Sequence, residues 1–433
     1  MPRKIVILFS IDALALLLTI VTLWMHGPRT CSDATGYIMG AVTIRHSGEF
    51  LWQASDDELR QEGFGYEFKC PKNSLDLNEY RRDKAQGYQT HWSVGYPFAA
   101  VCLNAITRLN LKYSFCLLNT LCILATFLCV LAFCRTYAKA IAPEAILLFS
   151  IVFSSFLWLI SMVAFSEVLF MPMSLCAMYA LDCHLRRKSL LALGISAIIC
   201  GACILIRYAG LYLVPAAMFC LIYGGDSKKD APLSQSADKP MCIYGRMALS
   251  CLYAMLAILP FCVWQVRNYL VSGAMRGGRI SQTNFIARLI ELLALPASTF
   301  FPIPPQIQGN MHALLLKLLC SLSAFIILAL ILVLFLKNKG KTGTVLPISA
   351  FAYIVFICLT NAITGEPYPL NYRIMLPFLF PLCIFCCLNL KTDNAPRIAL
   401  WSLRGLLAAS FLWTHLYLFA FLAKNILCSL QYH

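Results

Sequence analysis

The sequence predicts an all-α fold, a polytopic transmembrane helical bundle of about eleven spans with amphipathic surface helices in its first external loop. Three observations carry this: a composition too apolar for water, a series of apolar stretches of bilayer length, and basic clusters that fall on alternate connections.

Of the 433 residues, 60% are hydrophobic and only 13% charged. Soluble domains carry about a quarter charged residues, so this chain has lipid as its solvent. The 35 Lys and Arg exceed the 20 Asp and Glu by 15. In a soluble protein that excess would suggest nucleic acid; here it follows from topology, and no nucleic-acid partner is expected.

A window of about 19 residues places spans near 5–25, 112–134, 143–161, 166–183, 190–206, 208–224, 246–266, 313–336, 344–361, 373–390 and 398–423. The first follows Arg3-Lys4, lacks a small-residue cleavage site and reads as a retained span. The clusters Arg3-Lys4, Arg135 with Lys139, Arg186-Arg187-Lys188, Lys228-Lys229, Lys337 with Lys339 and Lys341, and Lys391 with Arg397 then share one face. Short basic loops stay cytoplasmic, so the N-terminus is expected there. One missed or invented span would move the later clusters to the wrong side.

The opposite face carries two long loops, 26–111 and 267–312. In the first, Asp33 to Phe50 reads as a short helix with Tyr37, Ile38, Ala41, Val42 and Ile44 on one side. Ser32 or Asp33 caps it and Gly48 closes it, and such a helix would lie along the membrane surface. A second helix, Val94 to Leu109, begins at the bend Gly95-Tyr96-Pro97 and feeds the second span. The 21 cysteines sit mostly inside apolar runs and read as small hydrophobes; Cys31 and Cys70 share the external loop and could pair.

Ionisable side chains are costly in the hydrocarbon, so those bordering apolar segments mark candidate sites. Asp33 follows the first span, Glu167 opens the fourth, Arg207 separates the fifth from the sixth, Arg267 leaves the seventh and Arg373 starts the tenth. All five map to the non-cytoplasmic face. One carboxylate among guanidiniums suits a reaction with a phosphate leaving group: a base takes a hydroxyl proton and fixed cations hold the departing charge, arginine doing so bidentately. Blander roles exist for each: Asp33 as a helix cap, the arginines as snorkelling span ends, Glu167 as a structural group. His91 and Trp92 precede the Gly95 bend, Trp92 as an interfacial anchor. His46 and His91 with Asp33 could assemble a divalent metal site, although nothing in their spacing argues for one; no cofactor or metal ligand is assigned. P-loop, dinucleotide, HExxH and GxSxG motifs are absent.

Taken in order, several segments resemble the GT-C superfamily of polyprenyl-phosphate-sugar-dependent membrane glycosyltransferases, in its mannosyltransferase and aminoarabinose-transferase-like branch. They are Ser32-Asp33 with Tyr37, Ala41 and Gly48, then Gly95-Tyr96-Pro97, Ser166-Glu167, Gly201 to Gly210 around Arg207, Trp264 to Tyr269 around Arg267, and Asn371 to Pro377 around Arg373. The resemblance implies a catalytic module over 1–390 followed by a C-terminal span and tail over 391–433. It implies transfer of a sugar from a polyprenyl-phosphate donor to a hydroxyl on a lipid or glycan acceptor of the cell envelope, with inversion. It gives Asp33 the catalytic role and makes Arg207, Arg267 and Arg373 the donor-phosphate residues, with Glu167, Tyr37, His91 and Tyr96 in support. Two departures matter: Ala34 stands where protein O-mannosyltransferases have a second acid, and Ser93-Val94 replaces prolines common in the bend. The rival expectation is a transporter or flippase of lipid-linked intermediates, which would place ionisable groups near mid-membrane, where Asp12 and Glu144 are the candidates.

Overall fold

A computed structural model describes residues 3–28, 32–51, 54–64, 93–137, 165–223, 242–272 and 345–364, together with helical turns within 146–157, 376–385 and 404–423. The described elements are helical: α1 (Arg3–His26), α2 (Ser32–Ser47), the short α3 (Asp56–Gln61), α4 (Gly95–Thr107), α5 (Leu111–Tyr137), α6 (Ser166–Arg187), α7 (Leu190–Ile206), a 3₁₀ turn (Tyr208–Tyr212), α8 (Leu213–Tyr223), α9 (Ile243–Ser272) and α10 (Val345–Thr364).

Three of them, Leu111–Thr136, Ser166–Arg187 and Ile243–Val271, are both long and apolar enough to cross a bilayer, and α4, α7 and the start of α10 are shorter apolar helices. The chain is an integral membrane protein of the expected fold class. The expected span at 313–336, the Cys31–Cys70 pairing and the loop residues 65–92 lie outside the described residues.

Helix α6 is the centre of the bundle, packed between α5 and α7, with α9 behind α7 and α8 between α9 and α10. Its buried side chains, Val168, Phe170, Met171, Leu175, Met178 and Leu181, recur at the three-to-four-residue spacing of one broad helical face. In lipid a polar side chain needs a partner inside the protein. Within α5, Thr120 and Thr126 donate back to the carbonyls of Cys116 and Cys122, each at 2.8 Å. Cys116, Cys122, Cys129, Cys200, Cys203 and Cys220 are buried free thiols, in keeping with their reading as small hydrophobes.

A polar knot joins three parts of the chain in the apolar interior. Asp12 Oδ1 accepts from Ser150 Oγ at 2.6 Å and lies 3.1 Å from His415 Nε2, which is 2.8 Å from Ser154 Oγ.

The first loop follows the expected pattern with one difference of surroundings. Helix α2 ends at Ser47, and Gly48, at φ +75°, takes the left-handed conformation that closes a helix most cheaply with glycine. Tyr37, Ile38, Ala41 and Val42 are buried as one face, but against α4 and its neighbours, so protein covers much of the face expected to rest on lipid.

Candidate active site

The site begins with a hairpin. α6 and α7 are joined by Lys188 and Ser189 alone, with Lys188 in the left-handed conformation at φ 55° and the Ser189 hydroxyl accepting from Ala192 N at 3.3 Å. A turn this short makes the helices antiparallel, so the start of α6 and the end of α7 return to the same face. Glu167 stands at the first and Arg207 at the second, and they form an ion pair, Arg207 Nη1 to Glu167 Oε1. Glu167 is 1% exposed and Arg207 18%, so the carboxylate is enclosed while the guanidinium reaches the rim.

Arg207 is held by a break in the chain. Its backbone is extended (φ −157°, ψ 125°) between α7 and the 3₁₀ turn, its N–H donates to Cys203 O at 2.9 Å, and its carbonyl accepts from Gly210 N at 2.7 Å. The bend before α4 presses on the same point: Ser93 Oγ donates to Ile206 O, and a Cβ at Gly95 would stand 2.7 Å from Ile206 N.

One hydroxyl adjoins the carboxylate, and a second bonds to the first. Tyr37 Oη, from α2, donates to Ser166 Oγ at 2.8 Å, and Ser166 Oγ lies 3.3 Å from Glu167 Oε2. The Tyr37 ring meets Tyr96 edge-on, centroids 5.6 Å apart, while Tyr96 Oη donates to Asn119 Oδ1 of α5 at 2.8 Å. Asp33 is the second residue of α2, one turn before Tyr37, so the two positions share a face of that helix.

Arg267 occupies an adjoining patch. It stands inside α9, which continues to Ser272, instead of in the loop where the sequence put it. Its guanidinium lies 4.8 Å from the Trp264 ring centroid and donates to Asn268 Oδ1 at 3.2 Å. Trp264 in turn faces Phe50, at 6.1 Å between centroids, whose ring covers Gly40 of α2. Each arginine is thus linked to α2 through intermediates, Arg207 by Glu167, Ser166 and Tyr37 and Arg267 by Trp264 and Phe50.

Of the residues singled out by sequence, Tyr37, Tyr96, Glu167 and Arg207 come together; Arg267 is joined to them through Trp264 and Phe50; His91 and Arg373 lie outside the described residues. His46, considered for a metal, instead lies 3.2 Å from Glu62 Oε1, and among the described residues no three of His, Cys, Asp and Glu gather as a metal-binding group. Sequence reasoning did not single out Asn119 or Asn268. Their signal was the isolated amide, on a span and at a span end, where a polar group needs an internal partner.

No protein-family model matches the chain, and no curated protein matches it. Two solved structures of ArnT from Cupriavidus metallidurans share its fold. The apo structure is 13% identical over 92% of this chain and 62% of that one, with a TM-score of 0.53. The structure bound to undecaprenyl phosphate is 12% identical over 98% of this chain and 77% of that one, with a TM-score of 0.55. The chain thus spans about three fifths of the first and three quarters of the second, and the likeness is one of fold.

Proposed function

We propose that the chain is a membrane glycosyltransferase that moves a sugar from a polyprenyl-phosphate donor to a hydroxyl on a lipid or glycan acceptor at the non-cytoplasmic face. The observation that carries this reading is the Glu167–Arg207 pair set against the α2 helix that bears Asp33. It gains support from the fold shared with an ArnT structure that holds undecaprenyl phosphate.

In this reading Arg207, Arg267 and Arg373 hold the donor phosphate, and the arginine fork suits its oxygens. Asp33 accepts the proton of the acceptor hydroxyl as that oxygen attacks the anomeric carbon. The bond from that carbon to the phosphate oxygen breaks, and the polyprenyl phosphate leaves with the electron pair. Attack opposite the leaving group inverts the anomeric centre. The prenyl chain lies between spans, where its burial needs no polar partner. The alternation of basic loops sets the N-terminus in the cytoplasm and this site outside, in a cell (inner) membrane.

The test is transfer from labelled lipid-linked sugars in membranes holding equal amounts of folded wild type and Asp33→Asn. Transfer by the wild type that the variant lacks supports the enzyme and its base; equal transfer removes Asp33 from catalysis.

The flippase reading has one observation in its favour, the ionisable Asp12–His415 contact inside the bundle. Translocation of a lipid-linked sugar without its transfer would favour it.

A further inference from the structure

We infer that Ser166 is a positioning residue that couples the acceptor-side helix α2 to the donor-side Arg207. The inference rests on the reading above, in which Arg207 meets the donor phosphate.

The chemistry of each group fixes the sense of the chain. A carboxylate only accepts and a guanidinium only donates, while a hydroxyl has one proton to give. With Tyr37 Oη donating to Ser166 Oγ at 2.8 Å, the proton of Ser166 is left for Glu167 Oε2 at 3.3 Å, and the other carboxylate oxygen pairs with Arg207. The order is Tyr37 to Ser166 to Glu167, with Arg207 closing from the far side.

Burial gives this chain its weight. Tyr37 is 5% exposed and Ser166 and Glu167 are each 1% exposed, so water does not readily replace a lost link. Hydrogen bonds to a charged group in such a place are worth more than those between neutral groups.

The geometry then ties two sides of the site together. Tyr37 lies one turn after Asp33 on α2, and Arg207 ends α7; Ser166, at the head of α6, stands between them. A displacement of α2 as an acceptor engages the start of that helix moves the tyrosine hydroxyl and, through Ser166, the carboxylate that aims Arg207. Ser166 touches neither substrate in this account and acts through Glu167.

The experiment measures binding of a polyprenyl phosphate to the detergent-purified full chain, in wild type, Ser166→Ala, Ser166→Thr and Tyr37→Phe, each checked for folding by thermal melting. Ser166→Ala is expected to weaken binding by roughly tenfold, the value of one hydrogen bond to a charged group, and Tyr37→Phe, which cuts a bond between neutral hydroxyls, by about fivefold. The double variant is expected to be little weaker than either single one, because both cut the same chain. Ser166→Thr, which keeps the hydroxyl, should restore binding, and in an Arg207→Lys background Ser166→Ala should change little. A purely structural serine would instead give a loss that persists in that background.

Where Ser166→Ala does not fold, Tyr37→Phe carries the test, since it removes only the oxygen at the far end. Wild-type binding with unchanged affinity in folded Ser166→Ala or Tyr37→Phe overturns the coupling and leaves the function standing. Failure of the wild type to bind the lipid phosphate overturns both.

Discussion

Gly95 lies flat against the backbone of Ile206, the residue before Arg207: a Cβ at position 95 would stand 2.7 Å from Ile206 N and 2.8 Å from its Cα. These are backbone atoms that cannot swing aside, so Gly95→Ala must displace either the bend before α4 or the end of α7. Overpacking of this kind costs about 1 to 3 kcal/mol. The variant is expected to melt several degrees lower and to lose at least tenfold in sugar transfer, because the displaced segment carries Arg207. Transfer and melting both at wild-type values would refute the tight contact.

Glu167 is enclosed and Arg207 reaches the rim, so their pair is asymmetric. Neutralising the carboxylate by Glu167→Gln removes the ion pair from a partly buried guanidinium, which costs up to about 3 kcal/mol after allowance for its exposure. Replacing both, Glu167→Gln with Arg207→Gln, should cost less than the sum of the single changes. Thermal melting of the four proteins forms the cycle, and strict additivity would show that the pair is not coupled.

How much of this was legible varies with the distance that the information travels along the chain. The first-loop helix, read as 33–50 with Gly48 as its stop, is observed as Ser32–Ser47, because capping and period are local. The meeting of Glu167 with Arg207 was half legible. Two spans joined by a two-residue turn must return to one face, yet the sequence does not say which side chains then touch. The Tyr37–Ser166 bond crosses 129 positions and depends on how α2 leans on α6, which no local pattern encodes. The 3₁₀ turn at Tyr208–Tyr212 was read as the start of a span, since its composition is apolar and its tighter winding leaves no signature there. A charge usually ends a span, so the sequence predicts Arg267 at the start of a loop; in α9 the helix carries on past it, with Trp264 and Asn268 flanking the guanidinium.

A third prediction concerns the loop. Glu62, 7% exposed, uses one carboxylate oxygen to accept from Leu111 N at 2.9 Å, at the start of α5, and sets the other 3.2 Å from His46 Nε2. It caps one helix and tethers the end of another. Glu62→Ala is expected to cost about 2 kcal/mol, from the lost cap and the backbone N–H left behind. Limited proteolysis should cut the first loop faster in this variant, while detergent-extracted protein retains its helix content. Unchanged cleavage would mean that the loop is held elsewhere.

The last prediction concerns Asp12 and His415. Asp12 lies nine residues after Arg3, about 14 Å along a helix of about 36 Å, well inside the span. His415 Nδ1 lies 2.9 Å from Phe411 O, and because a carbonyl can only accept, that nitrogen keeps its proton. The contact of Nε2 with Asp12 at 3.1 Å then needs one proton between the two groups, on the carboxyl or on the ring. Ser150 adds a donor to Asp12 and Ser154 a hydrogen-bond partner to the ring, so the knot is satisfied from within. Asp12→Asn can keep a hydrogen bond to Nε2 and is expected to be mild, within about 1 kcal/mol. Asp12→Ala and His415→Ala each leave the partner with only its serine and backbone contacts in an apolar setting and should cost about 2 kcal/mol. Melting of the purified variants checks the order. A knot that only fastens the C-terminal turns to α1 predicts that Asp12→Asn transfers sugar at the wild-type rate. A loss of lipid translocation in that variant, with its fold intact, would instead make the knot part of a transport path.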